Sequence, residues 1–458
     1  MKKWIVLFLT LLQILLLVGC VETQGGNALY ADMPTAPQTN AQLRVYCLGN
    51  VGEASLILAA LNRYQLLYPD VEVELIQPIE DSTDLTSANE YEQYNKLLTQ
   101  IMAGEGPDIM LLDDYYIDVE KLVRQGIFAD MEPFFQADGF DWEPYNQAVM
   151  DGGVWNGKRF TIPFNYTFRL LCTTQEALEE TNFDVEACKD FQGFLEETTR
   201  YMEDPTQTRR LFSYGSVPGH DFFYKPGISF VDYDGQTADL SHPLLISAIQ
   251  WYKTVRDTHP DISTYGLLMG ASDIRDGQAL WTTSAVGADL DLFYTTGALR
   301  TVGEAVMMPV RDVNGGIQAR IEASVAVRGN SENLQNAYDF LKILLSPEIQ
   351  NATQIGFSVL DAAAENYLTR RGKEASLTEG MDGFISTTRT GSAEDAPSQQ
   401  EIQQVLALTR EITGAYYEYQ STNVGALMSG YIDGMDGYED FDEVLKDAEG
   451  MLKLYLTE

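Results

Sequence analysis

The chain has few of the residues on which many protein activities depend. Its 458 residues include 4 cysteines, 3 histidines and 30 basic residues against 68 acidic ones, which gives a formal net charge of −38. So few cysteines exclude a disulfide framework, and no cysteine or histidine cluster has the spacing of a metal site. The acidic excess argues against nucleic acid or anionic lipid head groups as partners. We therefore expect no metal, no cofactor and no nucleic-acid partner.

The sequence also lacks the motifs of common hydrolases. It contains no Gly-x-Ser-x-Gly nucleophile elbow, no His-Glu-x-x-His pair and no P-loop. Adjacent carboxylates such as Asp113 and Asp114 could serve a glycosidase as acid and base, but 68 acidic residues bring such pairs together by chance. We expect a protein without enzymatic activity, and a surface glycoside hydrolase is the least favoured alternative.

The first 19 residues have the layout of an export signal. Two lysines precede the apolar run Trp4–Val18, which is too short for a membrane span of about 20 apolar residues. Residues 17–20 resemble the lipobox of bacterial lipoproteins, which implies that the signal is cleaved before Cys20 and that Cys20 carries acyl chains such as palmitate. Residues 20–41 then predict a flexible tether. The expected location is the extracytoplasmic face of a bacterial cell membrane.

Hydrophobic periodicity after residue 41 predicts alternating strands and helices. Apolar runs indicate strands at 43–48, 71–75 and 108–112, and apolar residues at helical spacing indicate helices at 55–68, 91–102 and 118–125. This alternation is typical of an α/β domain with a parallel sheet.

Polar and aromatic residues follow two of these strands. Glu53 comes after the first strand, and Asp113, Asp114 and Tyr116 come after the third. Because ligands of such sheets bind beyond the carboxyl ends of the strands, we predict that these four residues contribute to a ligand site.

Several motifs occur in the order found in one protein family. Their residues are Tyr94–Ile109, Gly126–Met131, Gly157–Pro163, Asp276–Leu280 and Ser331–Ser346. Together they resemble the family 1 extracellular solute-binding proteins, which are the sugar-type receptors of ABC importers. The matches extend from Leu43 to Glu458, although residues 207–230 depart from the family pattern.

The resemblance implies the two-lobe fold of type II periplasmic binding proteins, in which mixed sheets are flanked by helices and a hinge joins the lobes. We expect an N-terminal lobe of residues 42–165 and 306–345. The C-terminal lobe then comprises residues 166–305 and 346–458.

Aromatic residues near the crossing segments are further candidates for ligand contact. Trp155 precedes the first crossing, Asn165 and Tyr166 lie on it, and Trp281 and Thr283 follow the Asp276–Leu280 motif. Flat aromatic rings combined with polar side chains suit sugars, whose rings have apolar faces edged by hydroxyls.

The expected function is therefore that of a lipid-anchored, monomeric receptor. It would capture a carbohydrate, in our reading an oligosaccharide, and deliver it to the transmembrane subunits of an ABC permease. A cationic ligand such as a polyamine is the alternative that the acidic charge favours.

Overall fold

The computed structural model describes residues 42–48, 54–79, 86–213, 216, 218–258, 270–286, 291–352, 356–374, 398–419, 422–434 and 440–457. The predicted signal peptide, the tether, Cys20 and the predicted site residue Glu53 lie outside these residues. Within the described residues, no helix is long and apolar enough to cross a membrane.

The strands are mostly short, and ten of them form one sheet. The strands are β1 (Gln42–Tyr46), β2 (Glu72–Ile76), β3 (Ile109–Leu112), β4 (Val154–Trp155), β5 (Lys158–Arg159), β6 (Thr161–Thr174), β7 (Arg210–Phe212), β8 (Val231–Asp232), β9 (Thr237–Ala238), β10 (Ala279–Val286), β11 (Ala305–Pro309), β12 (Ile317–Val327), β13 (Phe357–Ser358) and β14 (Ile412–Tyr416).

Helices connect and cover these strands. The helices are α1 (Ala54–Leu67), α2 (Ser87–Met102), α3 (Val119–Arg124), α4 (Glu132–Asp138), α5 (Gln147–Asp151), α6 (Gln175–Thr181), α7 (Phe191–Glu203), α8 (Pro243–Thr258), α9 (Gly270–Arg275), α10 (Asp291–Arg300), α11 (Leu334–Leu345), α12 (Pro347–Gln350), α13 (Asp361–Glu374), α14 (Gln399–Thr409), α15 (Val424–Leu427), α16 (Ser429–Ile432) and α17 (Phe441–Thr457). Two 3₁₀ turns span Val185–Cys188 and His220–Tyr224.

The main sheet is mixed, and its strand order is β2-β1-β3-β12-β6-β10-β7. Strand β1 pairs in parallel with β2 and β3, which confirms the parallel α/β unit predicted for the start of the chain. Strand β12 then runs antiparallel to both β3 and β6. Strand β14 pairs in parallel with β12 at the edge of this path.

Strand β6 connects the two parts of the sheet. Its first half pairs with β12 and β13, and its second half pairs with β10 and β11. Most of its side chains are buried because the strand is covered on both faces. The lobe boundary predicted between Asn165 and Tyr166 falls inside this strand, and the division into lobes stays a prediction.

Two hydrophobic clusters fill the interior. The larger one extends along β6, β10 and β12. It also includes residues of the helices that cover these strands, from α1 near the start of the folded chain to α17 near its end. The smaller one packs α2 and the start of α3 against β1 and β3, and includes Tyr94, Leu97 and Ile101 from the predicted buried face of α2. Of the four cysteines, the structure describes Cys47, Cys172 and Cys188, which are buried and form no disulfide with one another.

Candidate functional site

A pocket of about 380 Å³ lies between the segment Phe223–Tyr233 and the elements that face it. The facing side is built from the start of α3, the end of α5, strand β4, and strands β12 and β14 with the residues that follow. We call this space the aromatic pocket and residues Phe223–Tyr233 the pocket wall. Its volume falls in the range of small-molecule sites.

Two stacked pairs of aromatic rings line the pocket. The ring centroids of Trp155 and Tyr417 are 6.2 Å apart, with an angle of 20° between the planes. Those of Tyr224, on the pocket wall, and Tyr416 are 4.6 Å apart, with planes 1° from parallel. All four residues are half-buried, so the pocket has flat apolar surfaces.

The local sequence fixes the position of Trp155. Strands β4 and β5 form a hairpin in which Trp155 pairs with Lys158, and the two turn residues, Asn156 and Gly157, have φ values of 53° and 74°. An Asn-Gly pair adopts this left-handed conformation readily and is the preferred turn of a two-residue hairpin. The turn therefore holds the indole ring at the pocket without any contact from a ligand.

Asp118 supplies a buried carboxylate at the same pocket. Its Oδ1 accepts the backbone N–H of Lys121 at 3.0 Å and so caps α3. Its Oδ2 accepts the hydroxyls of Tyr233 at 2.8 Å and Tyr455 at 2.6 Å. Burial and the neighbouring Asp118 charge raise the pKa of both tyrosines, which keeps them protonated as donors.

A network of charged side chains lies beside the pocket. Arg320 contacts Asp114 at 3.1 Å and Glu418 at 3.4 Å, and Asp114 also accepts the Glu418 backbone N–H at 2.6 Å. Burial raises the pKa of Asp114 to about 7, although Arg320 and the Glu418 amide lower it in part. These carboxylates raise the pKa of Arg320 despite its burial, so the arginine stays charged.

A second part of this network joins the pocket wall to β6. Lys225 and Arg169 contact the Asp221 carboxylate at 3.2 Å and 3.4 Å, and Lys225 Nζ donates to the Tyr416 hydroxyl at 2.9 Å. Burial alone would raise the pKa of Asp221, but Lys225 and Arg169 lower it below its ordinary value. The Asp221 carboxylate is therefore charged over the whole neutral range.

The predicted residues after β3 lie close to the pocket but do not line it. Asp114 is 5% exposed, and its two oxygens contact the Arg320 guanidinium and accept the Glu418 backbone N–H. Asp113 accepts the backbone N–H of Tyr115. Tyr116 stacks on Tyr94 and donates its hydroxyl to Glu90 at 2.8 Å. Of the eight predicted residues that the structure describes, Trp155 alone is among those that line the aromatic pocket.

The remaining predicted residues occupy other positions. Trp281 has no exposed surface and packs edge-on against Phe183 with centroids 5.4 Å apart, which is a position in the hydrophobic core. Asn165 and Tyr166 are each 1% exposed on β6, where they pair with β12 and β13. Thr283 is half-buried on β10 opposite Leu171. None of these four side chains reaches the aromatic pocket in this conformation.

Sequence reasoning missed most of the pocket. Tyr233 and Tyr455 were not selected, and neither was the run Tyr416–Tyr419, in which three tyrosines occur within four residues. Three tyrosines so close together were the feature of the sequence that could have identified this part of the pocket. Tyr224 belongs to residues 207–230, the segment that departs from the family pattern. Among the described residues, no group of histidine, cysteine, aspartate and glutamate could hold a metal ion.

The sequence model of a family described as bacterial extracellular solute-binding protein matches residues 51–351, which is more than half of the chain. No curated protein sequence matches.

Solved structures of low sequence identity share the fold along nearly the whole chain. A sugar-binding protein from Xanthomonas citri has a TM-score of 0.59 at 13% identity, covering 91% of this chain and 97% of its own. An ABC substrate-binding protein from Listeria monocytogenes, in complex with cycloalternan, has a TM-score of 0.55 at 14% identity, with coverages of 91% and 99%. A cyclic α-maltosyl-1,6-maltose binding protein from Arthrobacter globiformis has a TM-score of 0.53 at 15% identity, covering 92% of this chain and 99% of its own.

Proposed function

The chain belongs to the bacterial extracellular solute-binding proteins, and we propose that it is a lipid-anchored receptor that captures an oligosaccharide and delivers it to an ABC permease. The proposal depends above all on one observation, which is the aromatic pocket with its two stacked ring pairs. The family works outside the cytoplasm and consists of binding proteins. The anchor at Cys20 and the monomeric state are part of the proposal.

The chemistry of the pocket matches that of a sugar. The rings of Trp155, Tyr417, Tyr224 and Tyr416 all line the pocket, where they suit the apolar C–H faces of a pyranose. Polar groups at the pocket, such as the Asp151 carboxylate and the Gln318 amide, can exchange hydrogen bonds with sugar hydroxyls. The structural relatives from Listeria and Arthrobacter are described as binding cyclic oligosaccharides, which supports this choice of ligand.

Binding would involve closure of the two lobes. With an N-terminal lobe of residues 42–165 and 306–345 and a C-terminal lobe formed by the rest of the folded chain, the aromatic pocket lies between residues of both. Two of the boundaries between these lobes fall inside β6 and β11, and these strands would act as the hinge. Closure would exclude water from the sugar and strengthen each hydrogen bond to it. No bond is made or broken in the ligand.

A cationic ligand remains the second candidate because of one specific observation. The charged side chains among the described residues that line the pocket are Asp118, Glu120 and Asp151, all of them acidic. Aromatic faces attract cations as well as sugars. Asp118 already accepts hydrogen bonds from two tyrosines, and Glu120 forms an ion pair with Arg124. We therefore favour a neutral oligosaccharide over a cationic ligand.

Isothermal titration calorimetry separates the two ligands. The protein would be titrated with a panel of neutral linear and cyclic oligosaccharides and, separately, with spermidine, at low and high salt. We expect saturable binding of at least one oligosaccharide with little dependence on salt. Spermidine binding that weakens steeply with salt, with no oligosaccharide bound, would contradict the proposal. Turnover of a chromogenic glycoside by the same sample would instead indicate a glycoside hydrolase.

A further inference from the structure

A single carboxylate oxygen joins three elements that are distant in the sequence. Oδ2 of Asp118, at the start of α3, accepts the hydroxyls of Tyr233 in the β8–β9 hairpin and of Tyr455 in α17. Asp118 is 8% exposed and both tyrosines are half-buried, so the two hydrogen bonds are partly shielded from water. Hydrogen bonds to a charged acceptor are stronger than neutral ones, and low solvent access strengthens them further.

Further contacts between the same elements surround this carboxylate. Lys121 Nζ donates to the backbone carbonyl of Tyr455 at 2.9 Å and lies 3.9 Å from the centroid of its ring. Arg124 forms an ion pair with Asp234, at the turn of the hairpin. Helix α3 is therefore attached to both the hairpin and the terminal helix through its side chains.

The hairpin and the terminal helix also hold each other. Gln236 donates its side-chain amide to the carbonyl of Leu456 at 3.1 Å, and the backbone N–H of Leu240 donates to Glu449 at 3.2 Å. The two tyrosines thus approach Asp118 from one connected unit. Under the proposed lobe division, Asp118 belongs to the N-terminal lobe and both tyrosines belong to the C-terminal lobe.

These contacts lie at the edge of the aromatic pocket, because Asp118 and Tyr233 both line it. At its other end the pocket wall is attached by the stack of Tyr224 on Tyr416 and by the hydrogen bond from Lys225. All of these contacts are made between protein atoms. The pocket wall is therefore fixed at both ends by the protein itself.

We propose that Asp118, Tyr233 and Tyr455 form a latch that stabilises the closed arrangement of the lobes without ligand. The proposal rests on the lobe movement of the proposed function. Opening the pocket breaks both hydrogen bonds, and water must then solvate the Asp118 carboxylate in their place. The apparent affinity for ligand is proportional to the fraction of the protein that is in the binding-competent conformation. A protein that is already mostly closed without ligand therefore has a higher apparent affinity than one that is mostly open.

The latch can be tested by the double substitution Tyr233→Phe and Tyr455→Phe. It removes the two hydroxyls and keeps both rings, whereas replacing Asp118 by alanine would also remove the cap of α3. The full-length protein would carry spin labels at two exposed positions, introduced as Asn95→Cys on α2 and Gln250→Cys on α8. Pulsed electron paramagnetic resonance then gives the distance between the labels in the absence of any sugar. Tyr91→Phe, on an exposed tyrosine of α2, is the matched control.

The parent protein and the Tyr91→Phe control are expected to show the distance of the closed structure as the main population. The double variant is expected to move that population to a longer distance. A distribution in the double variant that superimposes on that of the parent would overturn the proposal. It would also be overturned if the parent itself showed mainly the longer distance. Because the measurement uses no ligand, its outcome is independent of whether the protein binds sugar.

Discussion

The indole of Trp155 and the ring of Tyr417 lie nearly parallel at the aromatic pocket, with centroids 6.2 Å apart and planes 20° apart. Each ring is held by the protein itself. The Asn156-Gly157 turn positions the indole, and the hydroxyl of Tyr417 lies 2.7 Å from Thr161 Oγ1. A surface that is rigid before the ligand arrives loses little conformational entropy on binding, so we expect this pair to contribute strongly to affinity.

Replacing Trp155 by alanine should weaken oligosaccharide binding by about 1–3 kcal/mol, which corresponds to a rise in Kd of roughly five- to 150-fold. The ring is half-buried and sits on a two-strand hairpin, so the midpoint of thermal unfolding without sugar should change little. Calorimetric titration and a thermal melt of the same sample check both parts. Unchanged affinity in a folded Trp155→Ala variant would remove this residue from the site.

Trp281→Ala is the matched comparison, because it deletes the same side chain from a different environment. Trp281 is fully buried against Phe183, so its loss should lower the free energy of unfolding by about 3–5 kcal/mol through the cavity that remains. The folded fraction should bind sugar with the affinity of the parent. Denaturant unfolding and titration below the melting transition measure the two quantities. A stable variant with reduced affinity would restore Trp281 to the binding site.

The contrast between these two tryptophans shows what the sequence could reveal. The parallel unit β1–β3 was predictable because its apolar periodicity is local and strong. For Trp281 the sequence favoured ligand contact, because it follows the Asp276–Leu280 motif and because Thr282, Thr283 and Ser284 beside it indicate a polar surface. In the structure β10 lies between β6 and β7, and the Thr282 hydroxyl is satisfied by Ser216 at 2.9 Å.

The tyrosines of the pocket were missed for a different reason. Tyr416 and Tyr417 reach the site because β14 pairs with β12, about a hundred residues earlier in the chain, in the register that places Tyr416 beside Arg320. Such a non-local pairing leaves no periodic signal in one sequence. The same holds for Asp118, which the sequence marked as the start of a helix, while its bonds to Tyr233 and Tyr455 depend on tertiary structure.

The buried carboxylate of Asp114 predicts a specific dependence of stability on pH. Its pKa rises from an ordinary value of 3.8 to about 7 on folding because of burial. Between these values the folded state binds a proton that the unfolded state has lost, so this group makes the free energy of unfolding fall as the pH rises.

Between about pH 5 and about pH 7, the free energy of unfolding of the parent should therefore fall more than that of the Asp114→Asn variant. Asp221→Asn is the control, because the pKa of Asp221 is lowered and its charge does not change in this range. Urea unfolding at both pH values gives the free energies. A parent–variant difference that is equal at the two pH values would show that Asp114 keeps an ordinary pKa.

The proposed anchor predicts a change of location. Cys20→Ser removes the thiol that would carry the acyl chains, so the protein should appear in the detergent-free fraction or keep its uncleaved signal. Fractionation of cells with immunodetection, together with mass determination of the N-terminal peptide, reports both outcomes. A variant that remains membrane-bound with normal processing would show that the protein is held by something other than lipid on Cys20.

Crystallography of the protein saturated with an oligosaccharide that binds in calorimetry tests the central claim most directly. The account predicts electron density for sugar rings in the aromatic pocket, with one sugar ring against Trp155 and another against the Tyr224–Tyr416 pair. Density for the sugar at a different site, with the aromatic pocket empty at demonstrated saturation, would contradict it.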